Sequence, residues 1–220
     1  MFWIIKHENF RFVNYAPQLN HNKHVRNNQY MKRYWLVVAA CLIIFVFAAF
    51  IELKMGRLFL GTDGKFGWWE SDIWSNEQSQ RFADPYSFSH ILHGLLFYLI
   101  LWLVARKMPL RYRFLMAVIL ETVWEVLENS PLIINRYRAV TISIGYVGDS
   151  VLNSLSDIVM MIVGFLMAVR MRVWTSVALF IFIEVGMLIW VRDNLTLNII
   201  MLIYPITAIK IWQSAGHVIT

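Results

Sequence analysis

Three stretches of the chain set groups capable of acid–base or metal chemistry at helical spacing. SFSHILHG, from Ser87, brings Ser89, His90 and His93 within two turns, with His90 and His93 three apart and Ser89 and His93 four apart. ETVWEVLENSP, from Glu121, places Glu121, Glu125 and Glu128 at i, i+4 and i+7 along one helical face, followed by Asn129. GDSVLNSLSD, from Gly148, repeats the pattern with Asp149, Asn153 and Asp157 at i, i+4 and i+8. Three carboxylates on one face repel one another, so they call for protons, a histidine or arginine, or a bound cation. Histidine with carboxylate is a ligand set for zinc or another transition metal, with His90, His93 and Glu125 as candidates. Without a metal, a buried glutamate beside an imidazole can exchange a proton near neutral pH. His93, Glu121, Glu125 and Asp157 are therefore the candidate catalytic residues. His90, Glu128, Asn129, Asp149 and Asn153 are candidates for binding a ligand, and Arg136 and Arg138 for holding a phosphate.

The same residues also have plainer uses. Asp149 or Ser150 can cap a helix N-terminus. Asn129, before Ser130-Pro131, can end a helix. Glu184 can pair within a helix bundle, and the whole polar set can hold helices together. The chain has no Walker loop, nucleophile elbow, Cys-x-x-Cys pair or dinucleotide fingerprint, so ATP-coupled chemistry is not expected.

The elements that must position these groups follow from composition. Of 220 residues, 59% are hydrophobic and only 15% charged, and the mean hydropathy is +0.54. A chain this short cannot bury that much apolar surface within itself, so the apolar residues face lipid. A soluble domain, a disordered chain and a nucleic-acid binder are excluded, the last because the charge of +6 is small and lies beside apolar runs. The single cysteine, Cys41, permits no internal disulfide.

Spans of about 20 apolar residues are expected at Tyr34–Ile51, Ser87–Ala105, Arg113–Asn129, Ser150–Val169, Val173–Val191 and Leu195–Trp212. This is an all-α polytopic transmembrane bundle of six spans, or five with a re-entrant last segment, because Pro205 interrupts the sixth. A tail of residues 1–33 precedes the domain of residues 34–212, and residues 213–220 follow it. With the N-terminus cytoplasmic, the inner segments hold 13 of the 20 lysines and arginines and the outer segments 7, in agreement with the positive-inside rule. No signal peptide is expected, and Phe2, Trp3, Ile4 and Ile5 are suited to resting on the bilayer surface. The outer loop, residues 52–86, holds Trp68, Trp69 and Trp74 and either lies on the leaflet or covers a site. In this arrangement all three polar stripes lie at the outer end. Glu121, eight residues before Asn129, sits ~12 Å below it at ~1.5 Å per residue. The expectation is a polar pocket opening outward.

At these residues the sequence is similar to an uncharacterised bacterial family of small multi-pass inner-membrane proteins. The likeness is carried by SNEQSQRFADPYSFSHILHGLLFY from Ser75, WEVLENSPLIINRYR from Trp124, GDSVLNSLSD from Gly148 and RDNLTLNIIMLIYP from Arg192. It implies an inner-membrane location and no assigned activity. A fainter pattern resembles VanZ-like membrane proteins, which implies corresponding roles for His90 or His93, Glu121 or Glu125, and Asp149 with Asn153. Extra carboxylates and a longer outer loop set this chain apart from that pattern. The function expected is the binding or processing of an envelope lipid or lipid-linked molecule. The alternatives are a proton or cation relay, or an assembly factor in which the polar set only joins helices. The bilayer is the expected partner, and a divalent metal is a possible cofactor.

Overall fold

A computed structural model describes residues 21–214, with side chains from Met31 onward, and the suggested surface role of Phe2, Trp3, Ile4 and Ile5 lies outside those residues. Eight helices follow in order: α1 (His21–Lys54), α2 (Ser87–Val104), α3 (Leu110–Glu128), α4 (Pro131–Val140), α5 (Val151–Arg170), α6 (Val173–Trp190), α7 (Leu195–Ile203) and α8 (Thr207–Gln213). Among the described residues there is no strand, only an isolated bridge between Trp69 and Ala83. The part of α1 up to Leu36 is one compact unit, and the bundle proper begins at Val37.

Four helices are long and apolar enough to cross a membrane: Met31–Lys54 of α1, α2, α5 and α6. Their outward surfaces are greasy, with Val46, Phe182 and Ile189 among the exposed side chains. Helix α3 has 19 residues, long enough to cross, but its row of glutamates breaks the apolar run. Helix α1 begins at His21, thirteen residues before the expected first span.

The expected sixth span is not one continuous helix. Pro205 cannot continue a helix and forces the residue before it out of the helical region, and Tyr204 accordingly sits at φ −136°, ψ 89°. The segment breaks into α7 and α8, and its contacts show where it goes. Arg136 Nε of α4 donates to the Leu202 carbonyl (3.0 Å), Lys210 Nζ of α8 to the Ala139 carbonyl (3.2 Å), and Gln213 Nε2 to Asp193 Oδ1 (2.9 Å). Both halves of the segment thus lie beside α4 and the turn after α6, an arrangement that fits the re-entrant alternative. Moving Lys210 to that side leaves the basic residues divided 12 to 8, a bias of the same sign. The carboxylate of Glu184 accepts from the amides of Leu195 (3.0 Å) and Thr196 (3.2 Å) and so caps the start of α7.

Helices α2 and α5 form the most extensive pair in the bundle. They meet through Gly94 and Gly164, where a Cβ at Gly94 would strike the Met161 carbonyl and one at Gly164 the Ile91 carbonyl. Small residues let two backbones approach in this way. Two apolar clusters flank the crossing. One joins Ala48, Leu101, Ala117, Val118, Ile158, Met161 and Phe165, and the other joins Leu92, Leu95, Ala168, Ile183, Met187 and Leu195.

The loop between α1 and α2 is fastened onto the start of α5. The amides of Ser150, Val151 and Leu152 donate to the carbonyls of Ser79 (2.9 Å), Leu58 (2.9 Å) and Phe59 (3.1 Å). Ser150, the N-cap, accepts from the Asn153 amide at 3.2 Å. Donors that a helix start leaves open therefore hold the loop over the polar end.

Two outcomes follow. Gly94→Val and Gly164→Val should each cost about 2–3 kcal/mol by overpacking, read as a lowered unfolding midpoint in detergent, whereas Gly186→Ala, with open space around it, should leave the midpoint unchanged. Burial pushes the Asp193 carboxyl up to about 6 against hydrogen bonds from Tyr86, Asn194 and Gln213. The folded chain keeps this proton to about pH 6, while an unfolded aspartate releases it near ~3.9. Stability should fall as pH rises from about 4 to about 6 and level off above that. Asp193→Asn should reduce the slope by about one proton in a thermal-unfolding series.

Candidate carboxylate–histidine centre

The first turns of α2 and the last turns of α3 face each other beneath the loop, because the glycine crossing fixes α2 against α5 and α3 packs along both. His90 Nδ1 lies 2.6 Å from Glu121 Oε1 and 3.2 Å from Glu125 Oε1, and its Nε2 is 3.7 Å from Asp157 Oδ2. One imidazole thus contacts three carboxylates from two helices. His93 Nδ1 sits 3.0 and 3.1 Å from the two Glu121 oxygens. Its ring is held by stacking on Phe97 and by the edge contact with Trp124. Ser87 Oγ donates to Asp157 Oδ1 at 2.9 Å. Glu121 and Glu125 are both 0% exposed. Neither Glu125 oxygen accepts a hydrogen bond, since the nearby His90 nitrogen is directed at Glu121.

A second group of acids adjoins the first. Asn129, the C-cap of α3, donates through Nδ2 to Asp149 Oδ2 (2.9 Å) and Ser154 Oγ (3.0 Å) and accepts the Asp149 amide at 2.6 Å. Asp149 Oδ1 accepts from Tyr146 at 2.9 Å. Burial raises the Asp149 carboxyl, opposed by these hydrogen bonds. Glu128 is bonded by Tyr137 and Trp124. Glu125, Glu128 and Asp149 can bring one oxygen each within 4.8 Å of one another, as can the donor atoms of His90, His93 and Glu121.

The structure therefore unites His90, His93, Glu121, Glu125 and Asp157, with Glu128, Asn129 and Asp149 beside them. The other candidates go elsewhere. Asn153 Nδ2 is bound to the Arg81 carbonyl at 2.9 Å. Arg136 and Arg138 lie in α4 and hold the backbone carbonyls of Leu202 and Tyr146. The polar groups meet in a cluster under the loop, and a void of about 120 Å³ lies beside Asp149, lined by Arg57, Gln80 and Gly148.

Several participants escaped the sequence reading. Glu52, fully buried at the end of α1, lies near Ser154, Arg57 and Asp149. Its signal was its place directly after an apolar run. Ser87 is three residues before His90 on the same face. Asp84 and Arg57 are loop residues with no periodicity to betray them. Burial lifts the Asp84 carboxyl to about 6 against donors from Tyr86, Ser79 and Ser87.

The described residues, all-helical with four membrane-length apolar helices and consistent with a membrane protein, carry at one end a buried to half-buried set of two histidines and five carboxylates from three helices and the loop before α5. Residues 52–215 match the family described as "Protein of unknown function (DUF2585)". Relatives, each a "UPF0314 protein", include one from Paracoccus denitrificans, 46% identical over 83% of this chain and 92% of its own. Another, from Sphingopyxis alaskensis, is 48% identical over 83% and 95%, and one from Agrobacterium fabrum is 45% identical over 82% and 90%. The chain belongs to this family, as the stretches from Ser75, Trp124, Gly148 and Arg192 implied. Nothing in these matches carries the VanZ-like resemblance, and no solved structure matches.

Asn129 is the joint of the second group. Asn129→Leu should cost about 2–4 kcal/mol in denaturant unfolding, because it strands the buried Asp149 amide and carboxylate. Arg136→Ala, which frees one partly buried carbonyl, should cost less than about 1 kcal/mol.

Proposed function

We propose that the protein is a multi-pass inner-membrane protein in which His90, His93 and Glu121 hold a divalent metal ion, with Glu125 as the adjoining ligand. In this reading the ion serves the binding or processing of an envelope lipid or lipid-linked molecule. The observation that carries it is Glu125: fully buried, with no donor on either oxygen, and 3.2 Å from a nitrogen already engaged by Glu121. One imidazole N–H cannot satisfy two carboxylates, whereas a metal ion binds both at once. Two imidazolium rings would still leave Glu121, Glu125 and Asp157 one negative charge in excess, before Glu128 and Asp149 are counted. A divalent cation supplies that charge. Around an ion with ligands at ~2.0–2.2 Å in a tetrahedron, neighbouring donors stand ~3.3–3.5 Å apart. The separations of 2.6–3.2 Å in the centre need widen only slightly to admit it. The bound ion would act as a Lewis acid on a phosphoryl or carbonyl oxygen. Two histidines with a carboxylate suit zinc, iron or manganese better than calcium. The inner-membrane placement and cytoplasmic N-terminus are supported by the distribution of basic residues.

Elemental mass spectrometry of the full-length protein purified in detergent is expected to find about one equivalent of a transition metal. Glu125→Gln and His93→Ala, each checked for an unchanged helical spectrum, should each lose most of it. Wild-type protein without metal, or variants that retain it in full, would overturn the reading.

A further inference from the structure

A second void, about 300 Å³, lies at the same end of the bundle but away from the centre. Its walls include Asp72, Ile73 and Trp74 of the loop, Trp190 at the end of α6, Arg192, and Gln213 at the end of α8, so one acid and one guanidinium line it. Gln213 is 4% exposed. Its amide nitrogen is fixed by the Asp193 carboxylate at 2.9 Å, which orients the side chain, and its oxygen has no donor. A buried acceptor in such a state is unfavourable, and a ligand hydroxyl or amine would satisfy it. Arg192 is held at φ 56°, in the left-handed region, directly after α6. Glycine takes that place without strain, whereas an arginine there is strained. The guanidinium lines the void and donates through one nitrogen to the Trp212 carbonyl at 3.4 Å. Trp190 stacks on Trp69 at 6.1 Å and remains half exposed. It offers an apolar wall at the level where tryptophans meet lipid head groups.

From these groups we infer that the void holds the anionic, hydroxyl-bearing head group of a membrane phospholipid, with its phosphate on Arg192, a hydroxyl donating to Gln213 Oε1, and its glycerol carbons against Trp190 and Trp74. The source is a lipid rather than a soluble phosphate because the void caps α6, whose Phe182 and Ile189 are 74% and 78% exposed and lie in the path of acyl chains. This site is independent of the metal reading: it shares no residue with the centre. It is joined to it by a chain of contacts. Asp193 accepts from Tyr86 Oη at 3.0 Å, the Tyr86 amide donates to Asp84 at 2.7 Å, and the Asp84 amide donates to Ser87, the donor to Asp157.

The test uses full-length protein in a non-ionic detergent, titrated with short-chain phosphatidylglycerol, phosphatidic acid or phosphatidylcholine. Binding is followed by tryptophan fluorescence, and bound lipids are counted by native mass spectrometry. Phosphatidylglycerol is expected to occupy one site roughly tenfold more tightly than phosphatidylcholine. Arg192→Gln should lose about that factor, and Gln213→Leu should lose the preference for phosphatidylglycerol over phosphatidic acid. Arg192→Gly removes the strain together with the guanidinium, so it should be at least as stable as wild type and still lose binding. Arg170→Gln, at the opposite end, should bind as wild type. Equal affinity for the choline lipid, undiminished binding in both Arg192 variants, or glycerol phosphate binding as tightly as the lipid would each overturn the assignment.

Discussion

The backbone contact between α2 and α5 is the constraint on which the rest depends. Gly94 lies one residue beyond His93, and Gly164 lies two turns beyond Asp157. With no side chain at either glycine, the two helices can touch, Gly94 against the backbone of Met161–Phe165 and Gly164 against the backbone of Ile91, and this contact holds their register. That register sets the first turns of α2 against the first turns of α5, which puts His90 Nε2 3.7 Å from Asp157 and Ser87 Oγ 2.9 Å from it. Helix α3 then has one way to lay its glutamates against the imidazoles. In a lipid setting this matters doubly. Apolar burial gives no preference for helix over lipid, so close packing and polar contacts must hold the bundle together.

The polar contacts would be an unusual choice if adhesion were their only purpose. Single hydrogen bonds between membrane helices contribute about 1 kcal/mol, and neutral serines, threonines or asparagines supply them without charge. The bundle uses such groups where joining alone is required. Asn129 ties α3 to the start of α5, and Asn153 ties α5 to the loop. At His90 it instead gathers three carboxylates about one ring and leaves Glu125 without a donor. Burying an uncompensated carboxylate is among the most expensive things a protein can do. The surrounding structure is built to sustain that cost: Phe97 and Trp124 fix the His93 ring, and the amides of Ser150, Val151 and Leu152 fasten the loop over the polar end.

How much of this could be read from the chain follows from what periodicity records. The acid and histidine stripes and their shared depth were legible, because helical spacing is local and charge in an apolar run stands out. So were Ser150 and Asn129 as terminal residues, although the spacing said nothing of the bonds Asn129 makes to Asp149 and Ser154. The place of the loop of residues 55–86 over the centre was not legible, because it is held by backbone hydrogen bonds, which have no residue-type signature. Arg57, Asp84 and Gln80 were invisible for the same reason. Arg136 and Arg138 were candidates for holding a phosphate because type and location were all the sequence offered; the fold adds that the Nε of each donates to a backbone carbonyl.

The last segment shows how one residue can redirect a topology. Leu195–Trp212 has nearly the length and hydropathy of a crossing, and only Pro205 with its flanking polar residues argues against one. A proline in a lipid-exposed helix leaves a carbonyl without its donor, and nothing in hydrocarbon replaces it. A turn near the head groups removes that difficulty, since the freed groups meet water or protein. Here they meet protein: Arg136 takes the Leu202 carbonyl, and the returning segment delivers Gln213 to Asp193. Glu184, which in a six-crossing bundle would be an isolated acid in an apolar helix, becomes the anion that neutralises the start of α7. The break at Pro205 and the acid in α6 are therefore two halves of one arrangement. Gln213, near the end of that segment, thereby joins the wall of the cavity at the polar end.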